Sequence, residues 1–315
     1  MTKPTTINGY NEQVTRDCER VLVTILRHLG PWKESVFLVG GMTPRYLVRD
    51  RPPVVPPHAG TLDIDIVIDV VILEDTEAYR TLEENLRKIK FKNATNDKGQ
   101  TLNWRWWIKM EDGSTVILEL LADRQDIMGG KVKPLPTEGN ISALNVPHSS
   151  MVFDLHDSID VTAELMDGDG VATETIRYAN IVSFVCLKAL AFDHRAERKD
   201  AHDLVYCIEH GPGGWEAAAK AFRDQLTGKH AEIIQTCIQL LRKHFAGDEQ
   251  TEAYRQNGPA KVANFELAEA EDRENRILRQ RQVADIMEAF FAAVGVPAPL
   301  PAGSHAPGQE QENNE

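Results

Sequence analysis

The sequence predicts an α/β (α+β) protein, with a mixed-sheet domain followed by a mainly helical C-terminal domain. Two observations carry this. Through residue 121, strand-length apolar runs alternate with stretches of helical period, in the order helix, strand, helix, strand, helix, strand, strand. After Tyr178 the helical period takes over and continues to residue 294. With 315 residues, 42% of them hydrophobic, the chain is long enough to bury a large core.

Each element has a local reason. Val14, Cys18, Val21, Leu22, Ile25 and Leu26 recur at three- and four-residue spacing, so residues 10–29 read as a helix that Gly30-Pro31 ends. SVFLVGG is a buried strand closed by glycines, and residues 42–48 are helical. Four prolines make residues 50–60 a loop, and TLDIDIVIDVVI is the next strand. Tyr79, Leu82, Leu86 and Ile89 give an amphipathic helix over 75–90. Strands follow at 102–110 and 115–121, joined by a turn at Glu111-Asp112-Gly113-Ser114. Residues 129–150 read as a long connection, and a hairpin turn is expected around Asp167-Gly168-Asp169-Gly170. Helices are expected at 179–194, 199–210, 214–226, 230–245 and 260–294. These divide the chain into 1–150, 151–295 and a Pro/Gly-rich polar tail at 296–315, expected to be disordered.

Composition excludes several classes. No stretch reaches the roughly 20 apolar residues of a membrane span, and the N-terminus has no apolar signal segment. Cys18, Cys186, Cys207 and Cys237 are far apart, which argues against a disulfide scaffold or zinc knuckle and fits a cytoplasmic protein. Residues 1–150 have 19 Lys and Arg against 20 Asp and Glu, whereas 151–315 have 16 against 28. A net charge of −13 disfavours coating nucleic acid by bulk electrostatics but leaves room for a local basic groove in the first half.

The residues that carry chemistry begin with Asp63-Ile64-Asp65. Alternation puts Asp63, Asp65, Val67 and Asp69 on one strand face and Leu62, Ile64, Ile66 and Ile68 on the other. Carboxylates two positions apart stand about 6–7 Å apart at Cα and can converge on Mg²⁺, with a second metal compatible. Gly40-Gly41, between a strand and a helix start, offers backbone N–H groups to an anion, and Thr43 offers a hydroxyl. A third acid is Glu119, set in the apolar strand VILELLAD. Asp123 is the alternative ligand, and pairing with a nearby arginine is the structural alternative for Glu119. Lys188 and Arg195, seven positions apart, share a helix face and form a candidate phosphate clamp. Asp200 and Asp203 can orient them, or the four can form an ion-pair network locking two helices.

Together, FLVGG, the Asp-x-Asp pair, the acidic strand and the K-x6-R-x3-KD-x2-DL segment resemble the nucleotidyltransferase superfamily related to DNA polymerase β. Within it they are most similar to the AbiEii-type nucleotidyltransferases of abortive-infection and type IV toxin–antitoxin systems. The resemblance spans roughly residues 35–210. It implies a Mg²⁺-dependent enzyme that moves a nucleoside monophosphate from an NTP to an acceptor hydroxyl, on tRNA or protein, with an antitoxin as partner. Gly40 and Gly41 would hold phosphates, Asp63, Asp65 and Glu119 would bind metal, Lys188 would contact the triphosphate and Asp200 would support it. Three features depart from the pattern: Met42 before Thr43, the long proline-rich loop, and Glu rather than Asp at the third acid.

For an RNA acceptor, the candidate basic residues are Arg45, Arg49, Arg51, Arg195, Arg198 and Lys199, and Trp104, Trp106 and Trp107 are candidate stacking rings with at least one in the core. His58 reads as an isolated loop residue. The competing reading is a catalytically degenerate nucleotide- or partner-binding subunit, with the charged 248–282 segment as its partner surface.

Overall fold

Asn11 starts the first helix, α1 (Glu12–Leu29), by accepting the Gln13 N–H. Its stripe of Val21, Leu22, Ile25, Leu26 and Leu29 is buried. A 3₁₀ turn leads into β1 (Val36–Val39), buried throughout. A second 3₁₀ turn, Gly40–Met42, precedes α2 (Pro44–Leu47), a single turn. The proline loop then delivers β2 (Asp63–Ile68). The computed structural model describes residues 4–75, 81–267 and 273–296.

β2 is shorter than the apolar run suggests. The Asp69 carboxylate accepts the N–H groups of Val71 and Ile72, capping α3 (Val70–Asp75) and ending the strand. Asp69 therefore leaves the face it was expected to share with Asp63 and Asp65. The helix expected over 75–90 is α4 (Leu82–Lys88), started by a reciprocal Thr81–Glu84 capping box. Tyr79 lies outside the described residues.

β3 (Lys92–Thr95), β4 (Thr101–Lys109) and β5 (Thr115–Ala122) follow, and the expected connection at 129–150 contains β6 (Val132–Pro134) and β7 (Ser142–Asn145). After a short helix, α5 (Met151–Asp154), β8 (His156–Glu164) and β9 (Val171–Ala179) form a hairpin whose turn includes the Asp167–Gly170 segment. The nine strands make one mixed sheet, ordered β3-β4-β5-β2-β1-β9-β8, with β7 pairing the end of β5 and β6 pairing β7. Because β9 runs parallel to β1, the sheet continues past residue 150, and the helical part begins at Ile181.

That part comprises α6 (Ile181–Arg195), α7 (Arg198–His210), α8 (Gly214–Gln225), α9 (Ala231–Phe245), α10 (Asn257–Glu266) and α11 (Arg273–Val294). The single helix expected over 260–294 is thus two, because Leu267 leaves helical geometry at the end of α10. The tail from residue 297 lies outside the described residues. Among the described residues, no helix is long and apolar enough to cross a membrane.

Candidate active site

Two neighbouring strands supply the acids. β2 and β5 run parallel, in a register that sets Asp65 beside Glu119. The opposite face of β2, Ile64, Ile66 and Ile68, is buried in the core, and this fixes which way the carboxylates project. Asp63, Asp65 and Glu119 line one pocket of about 230 Å³, together with Gly40, Gly41 and Thr61. Asp123 is instead spent on the following turn, where it accepts the Ser150 N–H at 3.2 Å and the Ser150 hydroxyl at 2.6 Å. Glu119 is also held by Arg105, whose Nε lies 3.1 Å from its Oε1. Both readings of Glu119 hold: it faces the pocket and it pairs with an arginine.

The glycine pair is explained first by contacts within the protein. Gly40 has φ +71°, and a Cβ there would stand 1.9 Å from Asp65 Oδ2. A Cβ on Gly41 would stand 2.7 Å from Thr61 Oγ1 and 3.3 Å from Lys199 Nζ. Thr61 is fixed in turn, its N–H donating to Thr15 Oγ1 and its hydroxyl bridging the Asp63 backbone. Thr43 departs from expectation. It is fully buried, its hydroxyl has no hydrogen-bond partner, and it is not on the pocket wall. The 3₁₀ turn at Gly40–Met42 and Pro44 at the start of α2 turn its side chain into the core region instead.

The helical wall comes from α6 and α7. Phe184, Lys188, Ala191 and Arg195 fall at spacings of four, three and four, so α6 presents one face to the pocket. Lys188 Nζ donates to Asp200 Oδ1 at 3.0 Å and Asp203 Oδ2 at 2.7 Å. Arg195 grips both oxygens of Asp200, at 2.6 and 2.9 Å. Lys199, absent from the expected site, donates to both oxygens of Asp203 and reaches the pocket. Three cations thus share two carboxylates, a local charge of about +1 facing the acidic strands; Glu197 lies 3.9 Å from Arg195 at the rim. The expected ion-pair network and the expected pocket wall are the same structure.

Electrostatics follow from burial and pairing. Burial pulls the Lys188 pKa down, but Asp203 and Asp200 outweigh it and hold the pKa above its ordinary value. Burial pushes Asp200 and Asp203 up, but their cations outweigh it and keep both ionised at low pH. Lys199 goes the other way: its burial, with Lys188 beside it, outweighs Asp203 and lowers its pKa.

His58 is not isolated. Its Nε2 lies 2.9 Å from Asp203 Oδ1, and its ring stacks on His202 at 5.5 Å. His58, His202 and Asp203 bring three potential metal-ligand atoms within 4.8 Å of one another. The cluster is ill suited to a cation. The Gly60 N–H donates to His58 Nδ1, so the ring proton sits on Nε2 and is directed at Asp203, which two ammonium groups already occupy. Burial lowers the His58 pKa to about 4, with Asp203 only partly opposing, so the ring is neutral near pH 7.

Other expected contributors are elsewhere. Arg45 is spent on Glu19 and Glu12, Arg51 on the carbonyls of Arg45, Val48 and Asp50, and Arg198 on the Asn264 carbonyl. Arg49 lines a separate cleft beside Tyr178. Trp106 is fully buried under the Arg87 guanidinium, Trp107 donates to the Asn93 carbonyl, and none of the three tryptophans reaches the pocket. No protein-family model matches the chain, and no curated protein matches it.

Proposed function

We propose that the chain is a Mg²⁺-dependent nucleotidyltransferase, transferring a nucleoside monophosphate from an NTP to an acceptor hydroxyl. The observation that carries this is the opposition of Asp63, Asp65 and Glu119 on adjacent strands to Lys188, Arg195 and Lys199 across one pocket. An all-oxygen donor set suits a hard cation, and the facing cations suit a triphosphate.

Asp63, Asp65 and Glu119 would hold the metal, which when bound supplies charge neutralisation of the triphosphate and acidifies the acceptor hydroxyl. Lys188 and Arg195, fixed by Asp200, orient the β- and γ-phosphates so that the α-phosphorus faces the acids. The acceptor oxygen attacks that phosphorus, the α–β P–O bond breaks, and pyrophosphate leaves. Asp65 and Glu119 are the candidates to take the acceptor proton. The acceptor is proposed to be tRNA or a protein side chain, and a toxin-like role with an antitoxin partner rests on the resemblance alone. Because Arg45, Arg51 and Arg198 are engaged internally, an RNA acceptor would have to be gripped by few free cations.

The degenerate binding subunit is the second reading, favoured by the Arg105–Glu119 ion pair, which commits the third acid. Incubation with each α-³²P-labelled NTP, Mg²⁺ and total cellular RNA separates the two. Label on tRNA-sized RNA or on protein supports transfer. Nucleotide binding without label on any acceptor supports the subunit.

A further inference from the structure

The pocket has a second, apolar end that the phosphate chemistry does not use. Leu121 and Leu144, paired across β5 and β7, and Val146 form one side, with Phe184, Leu187 and Ala191 of α6 opposite. One polar side chain lies in this wall. Ser149 is fully buried, and its hydroxyl has no hydrogen-bond partner among the described residues. A buried hydroxyl without a partner is costly and calls for a ligand or another purpose.

The turn carrying Ser149 is held rigidly. His148 adopts φ +66°, Asp123 takes both the N–H and the hydroxyl of Ser150, and the Asn145 side chain ties down the backbone of Arg124 and Ile127. The hydroxyl is therefore placed beforehand beside an apolar slot, an arrangement suited to a flat heterocycle with one edge heteroatom to satisfy.

We infer that the slot between β7 and α6 is the nucleobase subsite and that Ser149 is its specificity-determining residue, hydrogen-bonding one edge atom of the base. The inference rests on the nucleotidyltransferase reading and adds to it where the base lies and what reads it. A single neutral hydroxyl supports discrimination of about tenfold between the best- and worst-bound bases, not more.

The test is calorimetric titration of the full chain with Mg²⁺ and ATP, CTP, GTP, UTP or inorganic tripolyphosphate. Wild type is expected to discriminate among the bases by about tenfold, and Ser149→Ala to bring the four to within about twofold. Tripolyphosphate affinity should be unchanged in that variant and its Tm no lower, because an unpaired buried polar atom has been removed. Ala191→Leu, which narrows the slot, should weaken all four nucleotides and leave tripolyphosphate unaffected. If Ser149→Ala keeps the wild-type base ratios, the inference fails and the transferase reading stands. If it loses tripolyphosphate, the hydroxyl serves the phosphates and the inference fails. If wild type binds no nucleotide, both readings fall together.

Discussion

The carboxylate of Asp65 occupies the space that a side chain at Gly40 would need: a Cβ there would lie 1.9 Å from Oδ2 and 2.7 Å from Cγ. The two residues lie on antiparallel neighbours, Val39 pairing with Asp65 in the β1–β2 ladder. The acid is thus seated by the absence of a side chain opposite it. Gly40→Ala should displace Asp65 and strain a backbone held at φ +71°. The expected loss is about 1–3 kcal/mol of stability, together with loss of Mg²⁺-dependent stabilisation. Urea denaturation with and without Mg²⁺ checks both; an alanine variant that keeps wild-type stability and response would show the contact is dispensable.

Asp203 is fully buried and accepts from Lys188 and Lys199 while His58 lies against it. Asp203→Asn keeps the shape and removes the charge, leaving two buried ammonium groups with only Asp200 nearby. The expected destabilisation is about 3–5 kcal/mol, measured as a shift in urea midpoint at pH 7. A loss under about 1 kcal/mol would mean the network is well solvated and does not hold α6 to α7.

His58 gives the fold a pH dependence with a definite sign. Its pKa is about 4 in the folded chain against 6.5 as a free side chain. Between those values the unfolded chain binds the extra proton, so this stability is complete above pH 6.5 and is lost as pH falls to about 4. The shift corresponds to about 3 kcal/mol. Asp200 and Asp203, held below the ordinary 3.8, add their own loss only at still lower pH. Stability measured from pH 7.5 to 4.5 should fall in wild type and fall less in His58→Gln. Parallel curves would remove His58 as the source.

Arg105 holds Glu119 from the adjacent strand β4. If Glu119 completes the metal set, Arg105→Gln releases a carboxylate toward the pocket and should strengthen Mg²⁺ binding several-fold. The check is Mg²⁺ titration monitored by Tm. Unchanged affinity in both Arg105→Gln and Glu119→Gln would take Glu119 out of the metal set.

How much of this was legible depended on sequence distance. The Asp63–Asp65 face followed from the two-residue period of a strand, and the Lys188–Arg195 face from the helical period. Glu119 was visible as an acid in an apolar strand. The Asp69 cap and the Thr81–Glu84 capping box were also present in the sequence, but the apolar run DVVI fits strand and helix alike. The misplacement of Thr43 came from expecting a full helix where Pro44 begins a single turn. The contribution of His58 was not legible, because its partner Asp203 lies 145 positions away and only the folded proline loop brings them together. Lys199 and Ser149 were hidden for the same reason: their place on the pocket wall depends on α7 and on the turn after β7. Strands β6 and β7 have three and four residues, too few to show a period.

The central claim is that Asp63 and Asp65 carry phosphoryl chemistry. It is tested most directly by label transfer from α-³²P NTPs with Mg²⁺, comparing wild type with the Asp63→Ala/Asp65→Ala double variant on the acceptor that wild type labels. The account predicts transfer by wild type and loss of at least about a thousandfold in the variant, with an unchanged circular dichroism spectrum and no lower Tm. A folded double variant that transfers label at the wild-type rate would contradict it.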